Sequence, residues 1–480
     1  MLLILIACVV LLTLVYLEVQ RVRLNNRFKH VAGPSQLPII GSVYSIRPNN
    51  LTDFKAVFDD LAVDPVAKFI FGGSLLLLVT DPVVLSQILP SKSFLERPYF
   101  FDFFEYPTAM LSAKFKLWKP MRKQTNLAFN QRQINSMFPV FNKHVNILLQ
   151  RIAAKVDGPT FDINQLTLRM GSAQVMENLM GYADIQEEID TDLFELYEDQ
   201  VTERMVNPLY QPWVVYRTSY MYQIQDKGRK ALHEFFGRVV DRKMNEIKKI
   251  GKEPDGKLFL DEMFRFEHEG KKLSYIELVE NIGLMFLAAY ETSAITISYA
   301  CLMLAMHPEI DEKLFAEIQE NYKIGEDIDF DMLKNFPYLD MVVKETLRHF
   351  PAVAMSARQG MEDCNIEPLG VLPKGTIIVL NFWKLHRWPQ FWGPNVEKFY
   401  PDHFLPENAA QRHPYAYLPF SGGPRNCVGM NYALQTIKVA LIKILAEYRF
   451  TTKLKMEDLN FKISVTLKLA NRHMVQVHRR

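Results

Sequence analysis

The residue of this chain whose surroundings best suit metal chemistry is Cys427. It lies in segment 419–429, which reads PFSGGPRNCVG, and an apolar, periodic stretch that predicts a helix follows at 430–448. A cysteine at such a loop–helix junction faces unpaired backbone N–H groups and the positive end of the helix. Both favour the thiolate over the thiol, so Cys427 is a candidate metal ligand.

The residues around Cys427 indicate which kind of cofactor could bind beside the thiolate. Gly423 and Gly429 leave room for a flat cofactor near the backbone, and Arg425 offers a cation for a carboxylate such as a haem propionate. With Phe420 they match the pattern F-x-x-G-x-R-x-C-x-G, which should occur by chance in roughly one chain in ten thousand. The alternative is a small buried cysteine in a tight turn.

A second chemical signal lies in the apolar run 281–300, which predicts a long buried helix. Its centre reads AAYETS at 288–293, so Glu291 and Thr292 are adjacent. A carboxylate inside such a run is costly unless it is paired or functional. The alternative is a core acid that is satisfied by a local hydrogen bond.

Two further residue pairs have helical spacing. Glu345 and Arg348 share one helix face at i and i+3 and can form an ion pair, although such pairs usually lie on the surface and stabilise little. Trp118 and Arg122, at i and i+4, reach one side of another predicted helix. Pro120 fits this helix only within its first turn.

Together these motifs resemble those of the cytochrome P450 family, the haem-thiolate monooxygenases, over essentially the whole chain. Segments 404–407 and 412–420 are similar to the animal family-4, or fatty-acid-hydroxylase, clan, including its insect members. The resemblance implies a mainly α-helical cytochrome P450 fold with small β-sheets. It also implies insertion of one oxygen atom from O₂ into a lipophilic substrate, with two electrons and two protons reducing the other atom to water.

The resemblance assigns a role to each matched residue. Cys427 would be the axial ligand of the haem iron, Thr292 would hydrogen-bond dioxygen, and Glu291 would supply protons. The residues expected to bind the haem are Cys427, Arg425, Phe420, Gly423, Gly429, Trp118, Arg122 and Arg358. Of these, the three arginines and Trp118 are expected to contact the propionates. The residues expected to form a buried structural network are Glu345, Arg348 and His403, where His403 replaces the usual Arg.

Two departures from the clan's pattern qualify these expectations. Ala288 stands where many members have a Glu that becomes ester-linked to haem, so haem b is expected to bind non-covalently. The same change weakens any transfer of terminal-carbon fatty-acid hydroxylation. Ala289 replaces a usual Gly, and its methyl group is expected to narrow the helix groove and weaken the coupling of electrons to product.

Substrate-facing regions follow from the resemblance alone. They are segments 99–110, 206–222, 285–289, 352–356 and 469–472. The first two are rich in aromatic residues, so the expected pocket is apolar and favours a lipophilic substrate.

The N-terminus predicts a membrane anchor. Residues 1–17 are apolar and uncharged and would form roughly 26 Å of helix, and residues 18–20 complete a span. Basic residues follow the apolar run, so the C-terminal bulk is expected in the cytosol, and a cleaved signal peptide is the alternative. The predicted organisation is a transmembrane helix at 1–20, a basic and Pro/Gly hinge at 21–41, and a catalytic domain at 42–480.

The net charge and the absence of a nucleotide-binding motif limit which partners this chain can have. Fifty-six basic against 54 acidic residues give a net charge of +2, so no nucleic acid partner is predicted. There is no G-x-G-x-x-G after a predicted strand, so electrons must come from another protein. The resemblance implies NADPH–cytochrome P450 reductase in the endoplasmic reticulum membrane, with cytochrome b5 as a second donor. Residues proposed for a basic docking face are Lys119, Arg122, Lys123, Lys438 and Lys443.

Two other functions stay open. Some relatives rearrange hydroperoxides without a reductase, but they usually lose the acid–Thr pair that Glu291 and Thr292 provide here. A non-catalytic haem protein that binds a lipophile is the other, and turnover with reductase and NADPH would separate it from a monooxygenase.

Overall fold

The computed structural model describes residues 1–45, 59, 61–62, 64–71, 73–184, 191–462 and 464–480. Helices dominate and the sheets are small, so the predicted fold class is confirmed. The α-helices in the first half of the chain are α1 (Leu2–Arg27), α2 (Pro82–Ile88), α3 (Phe115–Ala128), α4 (Gln131–Ser136), α5 (Phe138–Ala153), α6 (Ile163–Val175), α7 (Thr191–Val206), α8 (Trp213–Arg217) and α9 (Tyr220–Ile250). Those in the second half are α10 (Phe259–Arg265), α11 (Tyr275–Met306), α12 (Pro308–Asn321), α13 (Pro337–His349), α14 (Phe382–Leu385), α15 (Pro389–Trp392), α16 (Pro406–Gln411) and α17 (Met430–Glu447).

A four-stranded sheet with the order β1-β2-β9-β6 is the largest sheet in the described residues. A three-stranded sheet has the order β10-β13-β3, and the remaining strands form the hairpins β4–β5, β7–β8 and β11–β12. The strands are β1 (Val66–Phe71), β2 (Ser74–Val79), β3 (Phe161–Asp162), β4 (Glu267–His268), β5 (Lys271–Lys272), β6 (Met355–Gln359), β7 (Cys364–Ile366), β8 (Gly370–Leu372), β9 (Ile377–Asn381), β10 (Tyr448–Thr451), β11 (Phe461–Lys462), β12 (Lys468–Leu469) and β13 (Met474–Arg479). Antiparallel β6 and β9 set Arg358 opposite Ile378.

The central helix is α11, and its sequence explains its position. Ser274 caps its start with a reciprocal bond to Glu277, and the helix is apolar around its circumference and almost wholly buried. It packs against α6, α9 and α17. Gly171 of α6 permits close contact, because a Cβ there would lie 2.8 Å from the Tyr290 carbonyl oxygen. This packing fixes the middle of α11, where the acid–Thr pair lies.

Helix α1 is the N-terminal candidate membrane span. Its apolar window has no residue buried in the protein, whereas α11, the other helix that is long and apolar enough, belongs to the core. The helix runs to Arg27, so it continues beyond the predicted span at 1–20 into the first part of the predicted hinge. The expected boundary marks the end of the apolar run, and the basic residues beyond it are good helix formers.

The segment after α1 is held against the large sheet. The buried Lys68 ammonium donates to the Phe28 carbonyl at 2.6 Å, and the Lys68 amide donates to Ala32 at 2.7 Å. A Cβ on Gly33 would lie 2.2 Å from the Lys68 carbonyl oxygen. The hinge predicted at 21–41 therefore leaves the helix in a packed, defined path.

Candidate active site

The cysteine loop lies directly before α17, as the sequence predicts. The Cys427 amide donates to the Phe420 carbonyl at 3.0 Å, which closes the loop, and Gly429 caps the helix that starts at Met430. Cys427 is exposed while Arg425 and Tyr432 beside it are buried. An accessible thiol surrounded by buried residues is the arrangement expected of a side chain that lines an interior space.

Gly423 is required by the shape of the loop itself. Its φ is +69°, and a Cβ would lie 1.8 Å from the carbonyl oxygen of Leu89, the residue that caps α2. Both the positive φ and this close approach require glycine. A Cβ on Gly429, by contrast, would lie 4.0 Å from Cys427 Sγ, so this glycine does border the thiol.

The electrostatics of Cys427 are mixed. Burial raises the pKa of the thiol, whereas the Gly429 amide and the Arg122 guanidinium lower it. Both of the latter stabilise the anion, but burial outweighs them and the pKa of the thiol is raised overall, which is opposite to the direction expected from the loop–helix junction. A cation bound to the sulfur would add to the two stabilising contributions.

Arg122 and Trp118 project from α3 toward this loop. Arg122 donates to the Asn426 carbonyl at 2.6 Å and to Asn426 Oδ1 at 2.8 Å. Trp118 stacks under the Arg425 guanidinium, whose Cζ lies 4.2 Å from the ring centroid. The expectation that Pro120 lies in the first turn is wrong, because it lies inside α3, which begins at Phe115.

Three buried arginines meet beside the cysteine loop. Arg97, Arg358 and Arg425 have little exposure, and burial, followed by the charges of Arg358 and Arg425, depresses the pKa of Arg97. Burial and Arg358 lower the pKa of Arg425 to about 9. The nearby Glu96 carboxylate accepts from the Phe115 amide, and it forms no ion pair with these arginines among the described residues.

The guanidinium of Arg425 is incompletely bonded. Its Nε and Nη2 donate to the carbonyls of Leu95 and Ala113, but Nη1 is buried and has no partner among the residues that the structure describes. Arg358 donates to Ser421 Oγ and to the Arg425 carbonyl, both at 3.1 Å. Buried cations with an unsatisfied N–H group are typical of a site that binds an anionic group.

The Glu345 cluster is bonded far more completely. Arg348 contacts Glu345 through two hydrogen bonds of 2.8 Å, and His403 Nδ1 lies 3.1 Å from the same carboxylate. The Tyr400 amide adds a bond of 2.7 Å. Burial opposes ionisation of Glu345, but the bonds from Arg348 and His403 outweigh it and hold its pKa at about 2. The structure thus brings together the three residues expected to form a network.

The acid–Thr pair faces a cavity from the centre of α11. Thr292 is half-buried and donates to the Ala288 carbonyl at 2.9 Å, while Ala288 itself is exposed within this buried helix. Glu291 is buried, and its Oε1 lies 2.8 Å from the ammonium of Lys468. The carboxylate is therefore ion-paired, as the sequence requires of a charge in an apolar run unless it is functional, although the partner could not be named from the sequence.

The cavity is apolar and has a volume of about 470 Å³. Its walls come from β1, β2, segment 99–111, α7, α11 and segment 353–357. The few polar residues in its wall include Glu198, Thr202, Gln211, Glu291, Thr292 and Thr466.

Two of the expected substrate-facing segments need correction. Segment 469–472 does not line the cavity, and residues 464–467 just before it do. Segment 206–222 lines the cavity through Val206, Pro208 and Gln211 and not through its aromatic residues, of which Trp213 and Tyr220 are exposed. The preceding part of α7 adds Glu198, Thr202 and Met205. Which residue of a hairpin or helix end reaches inward depends on how it docks, and the sequence does not contain this directly.

The predicted basic docking face is smaller than expected. Lys443 is buried and bonds Asn146 Oδ1 at 3.0 Å, and Lys438 is paired with Asp340. Lys119 and Lys123 are exposed on α3. The expectation for Lys443 is wrong because its position in α17 faces α5 and the core.

Comparison with known proteins defines the class. The family model for cytochrome P450 matches residues 31–476. Similar proteins include probable cytochrome P450 313a4 of Drosophila melanogaster, 29% identical over 94% of this chain and 94% of the relative. Cytochrome P450 4c21 of Blattella germanica is 27% identical over 92% and 91%, and cytochrome P450 4V2 of Rattus norvegicus is 27% identical over 92% and 88%.

The chain belongs to the cytochrome P450 family. It is accordingly a haem-thiolate monooxygenase, related to insect and family-4 members as the sequence motifs indicate. The family generally uses redox partners and lipophilic substrates, and the apolar α1 suits a membrane-bound member. The residues present fit a haem: an accessible Cys427 at a helix start lies beside an arginine cluster with an orphan N–H group that a propionate would satisfy.

Three residues of the site escaped the sequence reasoning. Arg97 completes the arginine cluster, and Glu198 and Lys468 surround Glu291. Arg97 and Lys468 each interrupt a largely apolar stretch, at 94–104 and 463–470, which was the available signal. A charged residue within an apolar stretch indicates a buried charge that must be paired or functional, as at Glu291.

Proposed function

We propose that this protein is a microsomal monooxygenase that hydroxylates lipophilic substrates at the cavity beside Thr292. Its anchor at 1–20 and hinge at 21–41 would hold the catalytic domain, 42–480, on the cytosolic side of the endoplasmic reticulum membrane. The observation that carries the proposal is the apolar cavity of about 470 Å³, into which Ala288 and Thr292 open from an otherwise buried helix.

The proposal assigns haem b to the space between the cysteine loop and α11. Bound there, haem would supply oxygen activation, which the axial thiolate promotes. Cys427 would ligate its iron, Phe420 and Gly429 would border the ligand loop, and Gly423 would shape that loop. The side chains that would hold the propionates are Arg425, Arg358, Trp118 and Arg122, with Arg97 added to those expected from the sequence.

Non-covalent haem binding follows from the residue at position 288. Ala288 has no carboxylate that could form an ester, and it is exposed where α11 meets the cavity. Glu345, Arg348 and His403 would maintain the fold near the ligand loop and not touch substrate. Ala289, next to Ala288 in α11, is only partly buried, so its methyl group would border the groove at which the acid–Thr pair lies.

Two side chains of α11 would manage protons and oxygen. Thr292 holds its hydroxyl proton toward the Ala288 carbonyl, and a rotation would bring that donor to the cavity. Glu291 would exchange protons from its buried carboxylate. The apolar walls exclude water from the rest of the cavity, which favours a lipophilic substrate and limits proton loss.

Electrons would come from NADPH–cytochrome P450 reductase, with cytochrome b5 as a second donor. The exposed Lys119 and Lys123 lie on α3, the helix that carries Arg122 to the cysteine loop. Positive residues at this position would steer an acidic donor toward the thiolate side of the molecule. No nucleic acid partner is proposed, since the net charge is only +2.

Reconstitution tests the proposal directly. The full-length chain is placed in phospholipid vesicles with reductase and NADPH, and a panel of lipophiles is assayed for ¹⁸O incorporation from ¹⁸O₂. We expect substrate-dependent product, and in Thr292→Ala we expect NADPH consumption to continue while product falls by about tenfold or more. Haem-loaded protein that accepts electrons but oxygenates no lipophile would contradict the proposal.

A further inference from the structure

A buried ionic cluster links α7, α11 and β12 at the wall of the cavity. The Lys468 ammonium lies 2.8 Å from Glu291 Oε1 and 3.2 Å from Glu198 Oε2. All three side chains are at least nine-tenths buried. Two carboxylates from different helices therefore share one ammonium that comes from the β11–β12 hairpin.

The charges of this cluster do not balance if both carboxylates are ionised. Among the described residues, no other cation lies within ion-pair distance of Glu198 or Glu291. The other charged groups around Glu198 pair elsewhere or are exposed: Lys462 pairs with Asp199, Arg229 pairs with Glu105, and Glu195 is half-exposed. Tyr197 and Tyr106 are buried there, but a neutral phenol does not balance a carboxylate charge. A buried carboxylate without its own cation is costly, and a bound proton removes that cost.

The contact between the two carboxyl groups indicates where this proton lies. Glu198 and Glu291 are neighbours because both bond the same Lys468 ammonium, yet two ionised carboxylates have no donor to share with each other. Glu291 Oε2 is buried and has no hydrogen-bond partner among the described residues. A proton on Glu198 would convert the contact into a hydrogen bond and satisfy the orphan oxygen.

We propose that Glu198 is protonated at neutral pH and that Glu198, Lys468 and Glu291 form a proton store for the oxygen-activating side of the cavity. Glu198 is a positioning and proton-holding residue, and Lys468 fixes both carboxyl groups. The delivery half of this inference rests on the proposed function, while the protonation of Glu198 stands independently of it.

The electrostatics favour this assignment over protonation of Glu291. Burial and the Glu291 charge raise the pKa of Glu198 well above its ordinary value. Burial also opposes ionisation of Glu291, but Lys468, together with hydrogen bonding from Glu198 and Thr466, outweighs it and lowers the pKa of that residue. The pKa of Lys468 is raised in spite of its burial, because both glutamates surround it, so it remains an ammonium.

The transfer itself is balanced. The O–H bond of the Glu198 carboxylic acid breaks, an O–H bond forms at Glu291 Oε2, and Lys468 then pairs mainly with the new Glu198 carboxylate. The cluster keeps the same net charge, so no second ion must enter the apolar cavity. Glu195 Oε1, 3.9 Å from Lys468 and half-exposed, gives the cluster a solvent-facing side from which Glu198 can be reprotonated.

Infrared difference spectroscopy of the haem-loaded protein at pH 7 tests the protonation. We expect the carbonyl stretching band of a protonated carboxylic acid to disappear in Glu198→Gln and to shift in D₂O in the wild type. Glu195→Gln, on the same helix and against the same ammonium, is the matched control and should retain the band. A wild-type minus Glu198→Gln spectrum without a carboxylic acid band would overturn the proposal.

A second variant covers the case in which Glu198→Gln does not fold. Lys468→Met removes the shared cation, so Glu291 should also take up a proton and a second carboxylic acid band should appear. An unchanged carboxyl region in Lys468→Met would overturn the inference as well.

Turnover separates this inference from the proposed function. In Glu198→Gln we expect product per NADPH consumed to fall by about tenfold with an unchanged KM, since proton supply and not substrate binding is impaired. If the wild type shows the carboxylic acid band but Glu198→Gln forms as much product per NADPH as the wild type does, the delivery role is overturned. A wild type that shows the band but oxygenates nothing would instead remove the proposed function and leave the protonation of Glu198 in place.

Discussion

Two buried charge clusters lie near the cysteine loop, and they differ in how completely they are bonded. Around Glu345, one carboxylate receives donors from Arg348, His403 and the Tyr400 amide. Arg348 also donates to the carbonyls of His386 and Lys398, both at 3.0 Å. Within the described residues, this carboxylate and this guanidinium satisfy one another and the backbone.

Around Arg425 the situation is reversed. Arg97, Arg358 and Arg425 bring three guanidinium groups together without an ion-paired carboxylate among the described residues, and Arg425 Nη1 has no partner. The Glu345–Arg348 pair is balanced and bonded on both sides, so it serves the fold without a ligand, although the buried Nε2 of His403 has no hydrogen-bond partner among the described residues. An unbalanced cluster indicates a binding site, because its energy is completed by an anion.

Breaking the saturated cluster should have the largest effect on stability. Glu345→Gln leaves the buried Arg348 without its counter-charge, so we expect the free energy of unfolding to fall by about 3–5 kcal/mol in urea denaturation of the haem-free protein. Asp331→Asn removes an exposed pair with the same i,i+3 spacing, Lys334–Asp331, and should change stability by less than about 0.5 kcal/mol. Equal effects of the two changes would contradict the assignment of the Glu345 cluster to the fold.

The same cluster predicts a pH dependence with a defined sign. The pKa of Glu345 falls from 4.5 to about 2 on folding, so its ionisation favours the folded state by about 3 kcal/mol above pH 4.5. This contribution is lost as the pH falls from 4.5 toward 2. Acid unfolding of Glu345→Gln should therefore be less steep than that of the wild type across this window, and parallel curves would be the contrary result.

Changing the unbalanced cluster should affect ligand retention more than the stability of the polypeptide. Arg425→Met removes one of three mutually repelling cations but also the donors to two backbone carbonyl groups, so the two effects oppose one another and the haem-free protein should lose less stability than Glu345→Gln does. Haem release to an excess of an acceptor protein should accelerate by about 10- to 100-fold, the value of one or two charged hydrogen bonds. Arg204→Met, a buried arginine stacked on Phe103 and Tyr216, should leave the release rate unchanged.

The smallest effect is expected at His403. His403→Ala removes one hydrogen bond of a carboxylate that keeps its Arg348 and Tyr400 donors, so we expect a loss of about 1 kcal/mol. His403→Arg, which restores the usual family residue, should retain most of the wild-type stability. A loss in His403→Ala as large as in Glu345→Gln would show that the imidazole is the principal partner of the carboxylate.

What the sequence predicts well depends on local geometry. The loop that ends at Cys427, the helix that follows it and the pairing of Glu345 with Arg348 are set by spacing within a few residues, and the structure has each of them. Helix α1 extends past residue 20 because helix formation does not require apolar residues, so the helix continues where the apolar run ends.

What the sequence could not predict depends on distant segments. Arg97 meets Arg425 and Lys468 meets Glu291 although both pairs are far apart in the sequence, and only tertiary packing sets these contacts. The requirement for glycine at 423 likewise comes from the Leu89 carbonyl oxygen on another element. The burial of Lys443 depends on which side of α17 faces α5.

The most direct test of the site is the absorption spectrum of the reduced, carbon monoxide-bound protein. Ligation by Cys427 predicts a strongly red-shifted Soret band that is lost in Cys427→Ala, while Cys364→Ala, which changes a cysteine remote from this loop in sequence, keeps it. A Soret band at the position typical of histidine-ligated haem, or well-folded wild-type protein that binds no haem, would contradict the assignment of Cys427 as the iron ligand.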